Sequence, residues 1–261
     1  MLGLRNKTVA ITRSEEDARE FFQLVSTEGG KAVAIPAIEI VSAGPEVAQK
    51  FIALLEKKKH DYCAFMSAQA VRVLFGLVGE KEVAGALKQT AVITVGPKTW
   101  QELEKHGIKA DMMPGRFSSI GLVELLSKKE PKGKKIIIPR SGEAKEFAAK
   151  ALSDLGIRVD EVFLYSARTA GVTPRWKEFG DLLAQKKIDA VVFTSASNVR
   201  SFFEIMGRMG AELPGGVRAI SIGPFTTAEL AKKGVGCHEA KDHTIKGTVE
   251  AARKLFTSRQ K

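Results

Sequence analysis

Two arginines set the chemical theme of this chain. Thr12-Arg13-Ser14 and Pro139-Arg140-Ser141 each close a short apolar run, and the arginines stand 127 residues apart. A guanidinium fork at a strand end matches a carboxylate through two parallel hydrogen bonds. Arg13 and Arg140 are therefore candidate carboxylate binders, with ion pairs to Glu16 and Glu143 as the structural alternative. Gly96-Pro97 and Gly223-Pro224 repeat the same spacing. A residue without a side chain lets the backbone approach a ligand, and proline suits the first helical position, so all four are expected at an anion site. Ser67 and Ser195 follow apolar runs and open helices; their hydroxyls are expected to cap those helices and to face the same ligand. Ser118-Ser119 and Thr244 open a later helix in each half, where capping is the leading role and Ser119 completes the rim. Thr99, Thr226 and Thr227 fall in first helical turns, where bonding to local backbone would suffice to explain them.

The elements that must position these residues are duplicated. Gly29 with Gly156, Thr99 with Thr226, Leu103 with Leu230 and Gly107 with Gly234 keep the offset of 127. Ser67 with Ser195 and Val71-Arg72 with Val199-Arg200 lie at 128, the drift that one inserted loop residue produces. Each half alternates short β-branched runs with helices, the pattern of a parallel sheet covered on both faces. Strands are expected at 9–12, 64–66, 91–95, 136–138, 190–194 and 219–222. Helices are expected at 15–28, 68–78, 98–106, 119–128, 143–155, 196–209, 225–233 and 245–257. Gly107 and Gly234 follow basic helix ends, as left-handed caps do. In such sheets ligands bind beyond the carboxyl ends of the strands, where helix starts leave N–H groups unpaired.

Composition narrows the classes. A chain of 261 residues with 44% hydrophobic and 27% charged residues is ordinary for a globular protein of two lobes. No apolar run is long enough to span a bilayer, and the first residues lack the features of a secretory signal, so no membrane association and a cytoplasmic location are expected. Cys63 and Cys237 stand alone, and the four histidines show no ligand spacing, so no metal is expected. The histidines sit near element ends and are expected at the solvated surface. A net charge of +11 favours acidic partners. The lysine clusters near helix ends are read as dipole compensation, and without interleaved aromatic and basic residues no nucleic acid is expected.

Thr12-Arg13, the segment Phe193 to Val199, the segment Ile222 to Ala228 and the lone Tyr165 within Phe163 to Thr169 together resemble the uroporphyrinogen-III synthases, over nearly the whole chain. The resemblance implies two flavodoxin-like doubly wound parallel-sheet lobes, discontinuous in sequence and joined by a two-stranded β linker. One lobe would hold residues 1–37 and 168–261, the other 38–167, with crossings near 36–44 and 165–174. The N-terminal strand would then complete the C-terminal lobe, and the equivalent loops would line one carboxylate-binding cleft.

The resemblance also implies a cofactor-free activity, the cyclisation of the linear tetrapyrrole hydroxymethylbilane with loss of water and inversion of ring D. On residues alone, Tyr165 is a buried aromatic packing at the linker; the resemblance makes its phenol a candidate general acid. It likewise aligns Thr99, Thr226 and Thr227 with threonines near the tetrapyrrole. The expected partner is the polycarboxylate substrate, with a transient contact to hydroxymethylbilane synthase. A monomer is expected, because the cleft is internal and no exposed apolar helix face stands out. Two alternatives remain: a non-catalytic two-lobed sensor of anionic ligands on the same scaffold, and a charge-driven nucleic-acid binder.

Overall fold

A computed structural model describes residues 3–142 and 147–257. The chain begins with β1 (Thr8–Ile11), α1 (Arg19–Thr27), β2 (Lys31–Ala34) and β3 (Ile38–Ser42). Next come α2 (Pro45–Lys58), β4 (Tyr62–Phe65), α3 (Ala68–Leu77), α4 (Glu80–Leu87), β5 (Ala91–Thr94), α5 (Pro97–Lys105) and α6 (Ser119–Ser127). After these follow β6 (Lys135–Ser141), α7 (Phe147–Asp154), β7 (Arg158–Thr169), α8 (Pro174–Ala184) and β8 (Ala190–Phe193). The chain closes with α9 (Ala196–Arg208), β9 (Arg218–Ser221), α10 (Pro224–Lys232), β10 (Cys237–Glu239) and α11 (Ile245–Thr257). The expected strands and helices are present. The helix expected from residue 143 is described from Phe147 onward, because 143–146 lie outside the described residues. The sequence pattern had not marked α2, α4 or α8.

The chain divides into two compact units, Met1–Glu39 with Arg168–Lys261 and Ile40–Ala167. In the first, the strand order is β10-β9-β8-β1-β2, all pairs parallel. The N-terminal strand β1 therefore sits inside a sheet, between β8 and β2, whose other strands, β2 excepted, come from the C-terminal part of the chain. In the second, the order is β3-β7-β6-β4-β5, with β4, β5, β6 and β7 parallel. Matched by the repeat, β6 takes the place of β1, β7 that of β2, β4 that of β8 and β5 that of β9. A single parallel bridge, Ile93 to Met112, stands where β10 pairs with β9. In each unit the strand order reverses beside the central strand, between β1 and β8 and between β6 and β4.

Alternation along the strands builds a core on each face. Val9 and Ile11 join Phe21, Val25 and Val249 on one side of the first sheet, while Ala10, Val191 and Phe193 join Trp176, Phe179 and Phe202 on the other. The Trp176 indole donates to the Pro36 carbonyl at 3.0 Å, so the one polar atom of that ring is satisfied in the core. In the second unit Cys63, Phe65 and Ile137 face α2 and α3, and Tyr62, Ala64, Ile136 and Ile138 face α6 and α7. Each large apolar side chain buried this way contributes about 1.5–3 kcal/mol. Gly107 and Gly234, at φ 72° and 71°, end α5 and α10 in the expected left-handed caps.

A polar clip recurs where each central strand begins. Asp189 accepts from Lys7 Nζ at 2.7 Å and from the Thr8 amide at 2.8 Å. Asp61 accepts from Lys134 Nζ at 3.0 Å and from the Lys135 amide at 2.8 Å. His60, beside this clip, is a correction to the expectation of a solvated imidazole: it is 1% exposed, with Nε2 2.9 Å from Asp160 Oδ2. Its ring fills the core place that Ile188 holds in the other unit, and a carboxylate satisfies one nitrogen.

Partial burial alone would raise the Asp61 pKa, but the Lys135 amide and the Lys134 ammonium outweigh it and hold the carboxyl below its ordinary value. The stability this lowered pKa contributes is present above about pH 4, the unfolded value, and is lost as pH falls through the folded one. Asp61→Asn should therefore lose stability at pH 7, by about 1–2 kcal/mol, and show a flatter decline below pH 4 in urea titrations. A decline as steep as in the parent would remove Asp61 from the acid transition.

Candidate functional site

The carboxyl ends of β4, β6 and β7 open on a cavity of about 620 Å³ in the second unit. That volume falls in the range of small-molecule sites. Its walls are mostly apolar, from Met66, Val95, Phe117, Ile120 and Phe147, and its polar groups include Ser67, Ser119, Arg140 and Tyr165. Phe117 and Phe147 are more than half exposed, as is Phe225 on the first turn of α10 in the other unit. These three exposed apolar side chains sit at or just before helix starts, which the sequence pattern had not revealed.

Tyr165 reaches the cavity through a β-bulge. Arg140 pairs with Phe163 and Ser141 with Tyr165, so Leu164 is an extra residue on β7. With regular alternation through these residues, Tyr165 would share the face of Phe163, which is exposed. With the bulge, Tyr165 joins Val162 and Leu164 against the core of α2 and α3 and is 8% exposed. Re-aiming a side chain in this manner is a recognised use of bulges. The phenol Oη lies 3.2 Å from Ser67 Oγ. That hydroxyl also accepts from the Ala70 amide at 3.2 Å and so caps α3. Ser67 is thus both cap and phenol partner.

Arg140 lines the cavity but is not a free fork. It is 6% exposed and ion-paired with Glu161 on the adjacent strand β7. The alternative partner Glu143 lies outside the described residues. Arg13, its repeat mate, behaves differently: Nε donates to Thr194 Oγ1 at 2.9 Å, and no contact to Glu16 or another carboxylate is present among the described residues. Ser195 caps α9, accepting from the Asn198 amide at 3.1 Å.

The Gly-Pro loops place a proline in the first turn of α5 and of α10. Gly96 takes φ 105°, a left-handed value that favours glycine, and Phe117 lies over it. Gly223 is extended, and there the space a Cβ would need is filled by the His243 ring, 3.1 Å away. Phe117 and His243 are therefore counterparts, each preceding a cap, since Ser118 accepts from the Gly121 amide and Thr244 from that of Gly247. Ser119 follows its cap as the first residue of α6.

The threonines turn inward. Thr99 and Thr226 are each 3% exposed, and the Thr99 hydroxyl donates to the Val95 carbonyl. Thr227 Oγ1 is held by Ser221 at 2.6 Å and by Glu239. Their contacts fix the loops, and none of the three lines the cavity of the second unit. Below them, Glu102 joins Arg72 and Lys105, and Glu229 joins Arg200 and Lys232 in the same pattern. These triads tie α5 to α3 and α10 to α9. Among the described residues, no three His, Cys, Asp or Glu side chains converge as a metal site would require. No helix there is long and apolar enough to cross a membrane.

Residues 19–250 match the family profile described as uroporphyrinogen-III synthase HemD. The chain belongs to the uroporphyrinogen-III synthase family. It is 29% identical over 236 residues to the uroporphyrinogen-III synthase of Chlorobaculum parvum, covering 88% of this chain and 90% of that protein. It is 27% identical over 256 residues to the uroporphyrinogen-III synthase of Synechococcus elongatus, covering 95% of each. The crystal structure of uroporphyrinogen-III synthetase from Helicobacter pylori superposes with a TM-score of 0.65 at 18% identity, covering 97% of this chain and all of that one, which establishes the shared fold. Membership makes the chain an enzyme-family protein of tetrapyrrole biosynthesis, with the flavodoxin-like lobes that the sequence pattern and resemblance had implied.

Sequence reasoning missed Glu161, Thr194 and Asn198. The signal that could have found the last two is a difference between repeats, since Met66 and Ala70 occupy their places in the other half. The two glycines make a testable pair. Gly96→Ala should cost about 1–3 kcal/mol through backbone strain. Gly223→Ala meets the ring first, so its penalty should shrink when His243→Ala is added. Thermal melts of the single and double variants check both; an unchanged penalty in the double variant would contradict the ring contact.

Proposed function

We propose that the chain is a cyclising hydro-lyase that converts hydroxymethylbilane to uroporphyrinogen III. The observation that carries this reading is the phenol of Tyr165, buried, bulge-aimed and paired with Ser67 inside a mostly apolar cavity. An apolar wall suits a pyrrole ring, and a phenol is an acid that can protonate a departing hydroxyl. Tyr165 gives its proton to the hydroxymethyl oxygen as the carbon–oxygen bond breaks, and water leaves. The pyrrole N–H of that ring releases a proton, leaving an azafulvene. Ring D attacks it through its already substituted carbon, the nitrogen of the attacked ring takes back its proton, and the resulting spiro intermediate fragments and recloses with ring D inverted. The final rearomatisation releases a proton, which restores the phenol.

Unassisted closure favours the uninverted type I isomer. The enzyme's main contribution is then conformational: it holds the linear chain so that the rarer attack is the nearer one, an effect that reaches about 7–11 kcal/mol in favourable systems. The substrate's eight carboxylates give the net charge of +11 and the many helix starts a purpose without a metal or organic cofactor. Arg13, Ser67, Ser119, Ser195 and the Gly96-Pro97 and Gly223-Pro224 loops are the proposed substrate contacts. A cytoplasmic monomer acting on substrate passed from hydroxymethylbilane synthase is part of the same proposal.

Freshly generated hydroxymethylbilane, incubated with the protein and resolved into isomers, should yield type III in excess. A non-catalytic sensor on this scaffold would leave type I predominant. Tyr165→Phe should lower kcat about a hundredfold, as expected for losing a general acid, while its residual product stays mainly type III. Full turnover in that variant would take Tyr165 out of the mechanism.

A further inference from the structure

We propose that the first unit carries a carboxylate site at the ends of β1 and β8, built from Arg13, Thr194 and Asn198, and that its counterpart in the second unit has lost this capacity. The assignment of that carboxylate to the tetrapyrrole rests on the activity proposed above; the site itself does not.

The argument turns on one hydroxyl. Thr194 is 8% exposed, and its Oγ1 receives two hydrogen bonds, from Arg13 Nε at 2.9 Å and from Asn198 Nδ2 at 3.0 Å. Both lone pairs are then occupied, and what the hydroxyl still offers is its hydrogen. Among the described residues nothing accepts it. Asn198, equally buried, is fixed in turn by its own amide bonding to the Ser195 cap. The contact through Nε anchors the guanidinium and leaves its terminal nitrogens without an acceptor among the described residues. The first-turn amides of α9, at Ala196 and Ser197, have no intrahelical acceptor either. Apart from the Asn198 Oδ1, the uncommitted side-chain and helix-start groups are donors, gathered at the point of the sheet where strand order reverses, which is where doubly wound folds take ligands. Donors of this kind call for an anion, and a planar fork with a hydroxyl beside it suits a carboxylate.

The repeat supplies an internal comparison. Met66 stands in place of Thr194 and Ala70 in place of Asn198, each at the offset of 128, and Arg140 in place of Arg13. Neither Met66 nor Ala70 brings a side-chain donor, and Glu161 meets the arginine's charge. The same corner of the second unit instead holds the Tyr165 phenol on Ser67. The duplicated corners have divided the work, one holding charge and the other holding a proton.

Succinate titrated into the whole protein at constant ionic strength, followed by amide resonances, tests the site. Saturable shifts are expected at Ala196 and Ser197, with none from chloride and none at the counterpart amides of Ala68 and Gln69. Arg13→Gln and Thr194→Val should each weaken the succinate response by about ten- to a hundredfold, the range for losing a hydrogen bond to a charged group. With hydroxymethylbilane, Arg13→Gln should raise KM by roughly tenfold with a far smaller change in kcat. The proposal is overturned if the parent protein gives no saturable response, if both variants respond as the parent does, or if Ala68 and Gln69 respond equally. A succinate response in a protein that forms no type III isomer would leave the site standing and remove the activity.

Discussion

One carboxylate at the foot of each sheet governs the geometry above it. Asp189 and Asp61 each bind the first amide of a central strand and the lysine beside it. This sets the register of β1 against β8 and of β6 against β4, the pairs that flank the reversal of strand order. A strand slipped by one residue would exchange its two faces. Val9 and Ile11 would leave their side of the core, and Arg13 would leave Thr194. The side chains at the carboxyl end of the sheet thus depend on an ion pair at the other end.

The duplication shows which parts of a doubly wound unit are generic and which are specialised. The aspartate clip, the glutamate triad between helices, the serine and threonine caps and the glycine helix ends recur in both halves. Together they fix strand starts, helix starts and helix ends. The differences lie at the carboxyl ends of the strands: Phe117 against His243, Met66 against Thr194, Arg140 with a carboxylate partner against Arg13 with none among the described residues. The scaffold was copied, and the chemistry was then written on it twice in different terms.

Much of the fold was legible in the sequence because it rests on local pattern. β-branched runs, serine caps, Gly-Pro starts and glycine ends are written within a few residues of where they act, and the offset of 127 made each half a check on the other. The α2, α4 and α8 helices escaped because the repeat anchors follow strands, and these three do not share those anchors. The site was less legible, since its decisive features are pairings between distant strands. The bulge at Leu164 exists only relative to β6, and nothing local to Phe163-Leu164-Tyr165 announces it. Glu161 was hidden in the same way: it meets Arg140 across the sheet, twenty-one residues along the chain. His60 escaped because an element end can be as buried as its middle when two layers close over it.

The interleaved order of the strands bears on how this protein is made. The second unit is one continuous stretch, Ile40–Ala167, and its sheet can close as soon as that stretch has left the ribosome. β1 emerges earlier but finds its partner β8 only after some 180 further residues have been synthesised. Through most of translation β1, α1 and β2 lack the β8, β9 and β10 strands of their sheet, tethered to a stretch whose own sheet can already have closed. The last unit completed is the one that contains β1, the first strand synthesised.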